Sequence, residues 1–194
     1  EYIAVNAAGT KAYVTLQEAN AIGILDLNTN TFDKVVGLGA KDFSLPGNQI
    51  DTRDNNTINF TSPNEIGTTA SPNIKGLYMP DGIAAYEANG ATYLVTANEG
   101  DFREDDADRS NASTVGATGD LADFRISNTD SSAGSLFARG ARSFSILDSN
   151  GNRVFDSGDF LDKKAAELGI YDDVRSRVGG VEPEGVELLT IAGR

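Results

Sequence analysis

The chain of 194 residues contains no cysteine and no histidine. This excludes Ser-His-Asp and Cys-His catalysis, zinc held by thiolates or imidazoles, haem ligated by these residues, and disulfide bonds. Chemistry would fall to carboxylates, hydroxyl groups, Lys, Arg, Tyr and the backbone. The missing cysteines do not fix a compartment, because secreted and cytosolic proteins can both lack them.

Positive charge is scarce as well. The chain has 16 Lys and Arg against 29 Asp and Glu, which gives a formal net charge of −13 at pH 7. Nucleic acids and anionic membrane surfaces both require clustered basic residues, so the charge argues against either partner. It favours a divalent cation, or solvation in a salty extracellular medium.

Long apolar runs are missing too. No run approaches the roughly 20 residues of a membrane span, and no signal peptide is visible. The first and last residues fall within strand patterns, so we expect the chain to be a piece of a longer protein. Its glycine pairs lack a following phosphate-binding helix pattern, which argues against a nucleotide site.

Three distant segments share one pattern, in which an acidic residue directly precedes a short apolar, β-branched strand. They are residues 1–5, 80–86 and 182–188. In the first two, a second strand follows after a polar turn that contains glycine. A recurring unit of this kind indicates a repeat architecture, and in a radial repeat the acidic residues would converge at one end.

We therefore predict an all-β fold: a single-domain partial β-propeller of about two and a half four-stranded antiparallel blades, with long irregular insertions and one short helix. The predicted strands are 2–5, 12–17, 21–27 and 32–38 in the first blade, and 82–87, 92–97, 141–147 and 153–155 in the second. The predicted divisions are a blade at 1–38, an insertion at 39–79, a blade at 80–159 with an insertion at 99–140, a helical connection at 160–180, and the start of the next blade at 181–194.

Two local signals sharpen this division. Asp159 is the expected cap of a helix over 160–168, and Gly169 its expected end. Asp148, Asn150, Asn152, Asp156 and Asp159 fall at positions of a calcium-binding loop. That loop requires glycine where this chain has Arg153, whereas Asn150-Gly151 suits a tight hairpin, so we predict a hairpin.

Five segments, in the same order over nearly the whole chain, carry a family resemblance. They are KDFSLPGN (41–48), YLVTANEGD (93–101), RSFSI (142–146), VFDSGD (154–159) and EPEGV (182–186). Together they resemble the choice-of-anchor I family of large, secreted or surface-anchored, mostly bacterial β-propellers. Residues 13–27 also resemble the YVTN-type propeller repeat.

The resemblance implies a propeller of seven-blade type, of which this chain would be under half, and an extracellular or cell-surface location. Many members carry the label alkaline phosphatase or resemble a mesenchyme-specific cell-surface glycoprotein. Residues 182–185 are also similar to phytase-like propellers, in which an acidic pair sits at the central channel. This chain has a shorter 99–140 region than the family pattern.

Acidic residues are the candidate metal ligands. Asp81, Glu182 and Glu184 precede strands that would ring the channel mouth, and Glu99 and Asp101 begin an acidic loop after a strand. Hard cations such as Ca²⁺ bind where several carboxylate and carbonyl oxygens converge. Two plainer interpretations stay open: acids that accept backbone N–H bonds and fix turns, and an acidic loop that is simply solvated. The loop also contains Glu104, Asp105, Asp106 and Asp108.

The leading functional hypothesis is a secreted or cell-surface module for ligand binding or scaffolding, with Ca²⁺ as the candidate cofactor. The alternative is a metal-dependent phosphoesterase, in which carboxylates hold the metal while Arg103 and Arg142 bind the substrate. A purely adhesive repeat is a third hypothesis. The expected partners are the remaining blades, or a second copy paired through open strand edges.

Overall fold

The computed structural model describes residues 2–60, 73–103, 106–189 and 191. The described chain is mostly β-structure, with one α-helix. The strands are β1 (Ile3–Val5), β2 (Lys11–Leu16), β3 (Ala21–Asp26), β4 (Thr31–Gly37), β5 (Ala40–Asp42), β6 (Asn73–Leu77), β7 (Ile83–Ala88), β8 (Ala91–Asn98), β9 (Arg109–Asn111), β10 (Arg125–Ser127), β11 (Ser135–Ala138), β12 (Ser143–Asp148) and β13 (Arg153–Asp156). The helix is α1 (Phe160–Glu167), and short 3₁₀ helices span Asp106–Asp108, Ala112–Val115, Gly119–Leu121 and Asp173–Arg175.

Two four-stranded antiparallel sheets form the frame. The N-terminal sheet has the order β1-β2-β3-β4, and the C-terminal sheet has the order β7-β8-β12-β13. Their strands lie within two residues of the predicted bounds. Turns with Asn20, Asn30 and Asn89 at positive φ separate the strands, as expected of tight connections that use the left-handed region. Both sheets are open.

The two insertions fold against each other and form an insertion layer. In a three-stranded sheet, β6 pairs with β5 in antiparallel and with β11 in parallel, and β9 and β10 make a two-stranded ribbon. This corrects the expectation that 39–79 and 99–140 are irregular throughout. Residues 61–72, Glu104 and Asp105, which belong to those segments, lie outside the described residues.

The described residues form two apolar cores. One lies between the two large sheets, and it contains Ala4, Tyr13, Ile22, Ile24, Leu38, Tyr78, Ile83, Leu94, Ala141 and Leu147. The other fills the insertion layer, and it contains Phe43, Ile50, Ile74, Ala112, Leu121, Phe124, Ile126, Leu136 and Ala138. The insertions therefore have a core of their own, and they are more than loops on a two-sheet frame.

The hairpin and both ends of the helix agree with the sequence prediction, but the capping hydrogen bond is missing. The Asp148 carboxylate accepts amide hydrogens from Asn150 and Asn152, and β12 pairs with β13, which confirms the hairpin. Gly169 has φ of 70° at the end of α1. Asp159 occupies the N-cap position of α1, as predicted, but its side chain makes no capping hydrogen bond. Its carboxylate instead accepts from the amide of Gln49 and pairs with a lysine of α1.

The segment predicted to begin a third blade is not a strand where it is described. Residues 182–189 follow a turn and have no regular secondary structure, and residues 190 and 192–194 lie outside the described part. The next blade therefore stays a prediction. Within the described residues, no helix combines the length and apolar character needed to cross a bilayer.

Candidate functional site

Three of the predicted acidic residues meet at one end of the C-terminal sheet. Antiparallel pairing places the start of β7 beside the end of β8, and the Asp81 amide donates to the Ala97 carbonyl at 2.9 Å. Glu99 follows β8 directly. The Gly82 amide donates to the Glu184 carbonyl at 2.9 Å and so draws the chain around Glu184 against the same end. Asp81, Glu99 and Glu184 form what we call the carboxylate cluster.

Glycine is required where these segments touch. A Cβ atom at Gly82 would lie 2.6 Å from the Glu184 carbonyl oxygen and 2.9 Å from the Val186 amide nitrogen. Any side chain there would push away the segment that carries Glu184. Gly82, which follows Asp81, is therefore needed for this close approach.

The electrostatics of the carboxylate cluster are those of partly buried like charges. Burial raises the pKa of Glu99, and the nearby carboxylates of Asp81 and Glu184 raise it further. A hydrogen bond from Gln17, 2.9 Å long, and the positive charge of Arg139 act in the opposite direction. The cluster is therefore a place where a cation or a proton is favoured.

The geometry does not by itself make a metal site. Among the described residues, no three acidic side chains come close enough together to hold a metal ion. Ca²⁺ takes about six to eight oxygen ligands, so the cluster would need further oxygens from carbonyls or water. Calcium binding therefore stays a prediction.

The other two predicted ligands are engaged with arginines. Glu182, at φ of 47°, pairs with Arg139 through one carboxylate oxygen and with Arg175 through the other, the Arg175 Nε lying at 2.7 Å. Asp101 lies 3.6 Å from Arg139, and its side chain is 59 % exposed. These two acids neutralise arginines beside the carboxylate cluster, which makes them poorer candidates for metal ligands.

The two predicted substrate-binding arginines also have structural partners. Arg103 pairs with Asp108 at 2.9 Å and with Asp130 at 3.0 Å. The side chain of Arg142 is 1 % exposed, and it donates to two backbone carbonyls and lies 3.5 Å from the buried carboxylate of Asp162. In this conformation Arg142 offers a ligand almost no surface. A substrate role for either residue stays a prediction.

Sequence reasoning missed a group of arginines from four different parts of the chain that share one pocket. They are Arg109, Arg125, Arg139, Arg175 and Arg177. Only the Arg175-Ser176-Arg177 triplet hints at such a group in the sequence. The other three lie on separate segments that only the folded insertion layer brings together.

Comparison with known proteins assigns this β-rich chain to a family. No curated protein and no solved structure matches it at a significant level. The sequence model of the choice-of-anchor I domain matches residues 1–194, which is the whole chain. Such a domain indicates a bacterial protein of the cell surface or the extracellular space, in agreement with the location implied by the sequence motifs. Because the match is complete, the chain belongs to the choice-of-anchor I domain family.

Proposed function

We propose that the chain is part of a secreted or cell-surface β-propeller module that binds a ligand or serves as a scaffold. The observation that carries this proposal is that both large sheets are apolar on both faces. An antiparallel sheet with one face in water normally has polar side chains on that face. A propeller blade, by contrast, is covered on both faces by its neighbours.

The N-terminal sheet illustrates the pattern. Strand pairing places Ile3, Val14 and Val35 in one row across the sheet, on the face away from the core that contains Ala4 and Tyr13. Ile3 is 65 % exposed and Val35 is 59 % exposed. This outer row therefore has the composition of a buried face without a cover in the described chain.

The C-terminal sheet also has an apolar outer face. Its outer face contains a cross-strand row of Ala84, Val95, Ile146 and Phe155, and an aromatic pair of Tyr86 and Tyr93, whose ring centroids are 5.6 Å apart. Phe155 remains 48 % exposed. Further blades packed on these two outer faces would cover both rows.

The two sheets pack against each other around their shared core, with contacts at both sides. Strand β1 lies against β7, which supports a shared axis at the first strand of each sheet. At the far side, the position of a Cβ on Gly151 is 3.2 Å from Val36, and Arg153 donates to the Leu38 carbonyl. Neighbouring propeller blades have this arrangement.

One pair of substitutions tests the blade proposal in the natural protein. Val35→Lys places a charge on the outer row, and Thr31→Lys makes the same change at an exposed position on the same strand. If a further blade covers Val35, its charged variant loses several kcal/mol of stability while the control loses less than about 1 kcal/mol. Equal, small effects of the two variants would overturn the proposal.

We further propose the carboxylate cluster as the ligand-binding end of the module, because loops at the ends of strands are where propellers bind. A calcium titration followed by thermal unfolding tests this. A rise in melting temperature with Ca²⁺ that is absent from Glu99→Gln, and retained in the control Glu167→Gln, supports a calcium site. No rise in the unmodified protein removes it.

The phosphoesterase alternative depends on the same carboxylates, because their oxygens would be the ligands of the metal. Hydrolysis of a chromogenic phosphate monoester, measured with and without chelator, distinguishes the two functions. Chelator-sensitive turnover that Glu99→Gln abolishes favours the enzyme. Its absence leaves the binding module.

A further inference from the structure

A pocket of about 400 Å³ opens between the insertion layer and the segment that follows α1. Five of the ten arginines in the chain line it, together with Asp101, Phe102 and Val178. In a chain with a net charge of −13, this is a concentrated positive site. Glu182 pairs with Arg139 and Arg175, and Asp54 lies 3.6 Å from Arg177, so these acids offset part of that charge. The lining itself contains five guanidinium groups and one carboxylate, which favours an anion within the cavity.

Arg139 is the buried anchor of this pocket. It is 8 % exposed, one terminal nitrogen donates to the Gly100 carbonyl at 2.6 Å, and the guanidinium lies 5.6 Å from the centre of the Phe102 ring. Its Nε–H is buried and has no acceptor in the described part of the chain. A buried donor without a partner is costly, and an oxyanion in the pocket is a suitable acceptor.

The backbone holds Arg139 in place through a close crossing of two strand ends. A Cβ atom at Gly100 would lie 2.0 Å from the Gly140 nitrogen, so only glycine fits where residues 99–100 cross 139–140. The fixed crossing means that the guanidinium need not be ordered when a ligand arrives. Preorganised groups of this kind bind with a smaller entropic cost.

The opposite wall is built by a second backbone link. The Arg125 amide donates to the Arg177 carbonyl at 2.9 Å, which joins β10 to the segment after α1 and brings both side chains to the pocket. Arg177 lies 3.6 Å from Asp54, and Arg175 is paired with Glu182. The described residues give the Arg125 side chain no ion pair, so its charge remains available to a ligand.

We propose that this pocket binds the phosphate or sulfate group of a small anionic ligand, with Arg139 and Arg125 as the contact residues. The planar guanidinium fork matches the paired oxygens of such groups. The volume exceeds that of one tetrahedral oxyanion, and Phe102 and Val178 supply apolar wall for an organic remainder. The pocket lies beside the carboxylate cluster, because Arg139 also acts on Glu99, but the proposed anion site requires neither calcium nor catalysis.

Isothermal titration of the protein with sodium phosphate, sodium sulfate and sodium acetate, at one ionic strength, tests the proposal. We expect saturable binding of phosphate, sulfate or both, and much weaker binding of acetate. Arg125→Gln should weaken the affinity by roughly 10-fold or more, as expected for loss of a charge-assisted hydrogen bond. Which of the two tetrahedral anions binds identifies the group.

Arg53→Gln is the matched control, because it removes the same charge at a position that is not part of the lining and should leave the affinity unchanged. Arg125→Gln is preferred to a change at Arg139, whose burial makes the fold sensitive to substitution. Two results would overturn the proposal. One is the absence of saturable binding of either tetrahedral anion, and the other is an equal loss of affinity in the Arg125 and Arg53 variants.

Discussion

The buried ion pair between Lys41 and Asp156 gives the sharpest test of how the insertion layer is attached. The Lys41 side chain is 2 % exposed, and its Nζ lies 2.8 Å from the Asp156 Oδ1. The same nitrogen donates to the carbonyls of Ala141 and Gly158 at 3.0 and 2.8 Å. The pair therefore joins β5 of the insertion layer to the C-terminal sheet. Asp156→Asn keeps the shape of this side chain and removes its charge.

The expected loss of stability in Asp156→Asn depends on the hydrogen-bond acceptors that Lys41 retains. Burial lowers the pKa of Lys41, and the charge of Asp156 opposes that shift. Removing one partner of a buried pair generally costs about 3–5 kcal/mol, because the other charge remains buried. Here the two carbonyl acceptors remain and Asp156 is 15 % exposed, so we expect the lower end, about 3 kcal/mol. In a domain of this size that corresponds to a fall in melting temperature of roughly 6–12 °C.

Urea denaturation followed by circular dichroism measures this loss. The control is Asp33→Asn, which breaks the solvent-exposed pair with Lys11 and should change stability little. The double variant Lys41→Met with Asp156→Asn leaves no buried charge and should recover part of the loss. If Asp156→Asn unfolds at the same urea concentration as the control, the pair does not stabilise the attachment and the reasoning is refuted.

Because the folded-state pKa of Glu99 is raised, its contribution to stability is present at low pH and is lost as pH rises through that pKa; Glu99→Gln should remove this dependence in a pH series of denaturation curves. In this cysteine-free chain, Val36→Cys with Gly151→Cys should form an intramolecular disulfide on oxidation, whereas each single variant should form only dimers; failure to form it contradicts the packing of the two sheets. Gly100→Ala should prevent stable folding, while Gly116→Ala, with similar φ and open space, should cost only about 1 kcal/mol; equal melting temperatures would contradict the tight crossing.

The frame of the fold could be predicted because its signals are local. Strands β2 and β3 are apolar runs bounded by turn residues such as Asn20, and β12 and β13 meet at an Asn-Gly turn. These patterns depend on residues a few positions apart, so the sequence shows them directly.

The insertion layer could not be predicted, because its pairing is between distant segments. Strand β6 is only five residues long and pairs in parallel with β11, which lies about 60 residues later in the chain. Short strands that contain glycine and serine have no periodicity to recognise. Their structure depends on a core that forms only when both insertions are present.

Part of the candidate site could also be predicted from local patterns, whereas the rest depends on contacts between distant segments. The repeat pattern predicts that Asp81 lies near Glu182 and Glu184, and the structure places Glu184 against the start of β7. Glu99, which the sequence assigns to a separate acidic loop, joins Asp81 and Glu184 because the end of β8 lies beside the start of β7. The burial of Arg142 and Arg139 depends on tertiary contacts that no spacing reveals. Asp159 is at the N-cap of α1, as the sequence indicates, but its carboxylate accepts from the Gln49 amide of the insertion layer, a donor that is not visible in the local sequence.

We propose above that the two large sheets are neighbouring blades of a larger propeller. An experimental structure of the natural protein tests it most directly. We expect that β1 remains against β7, and that further four-stranded sheets cover the outer faces around Val35 and Phe155. Outer faces that are open to water, or covered by helices, would contradict it.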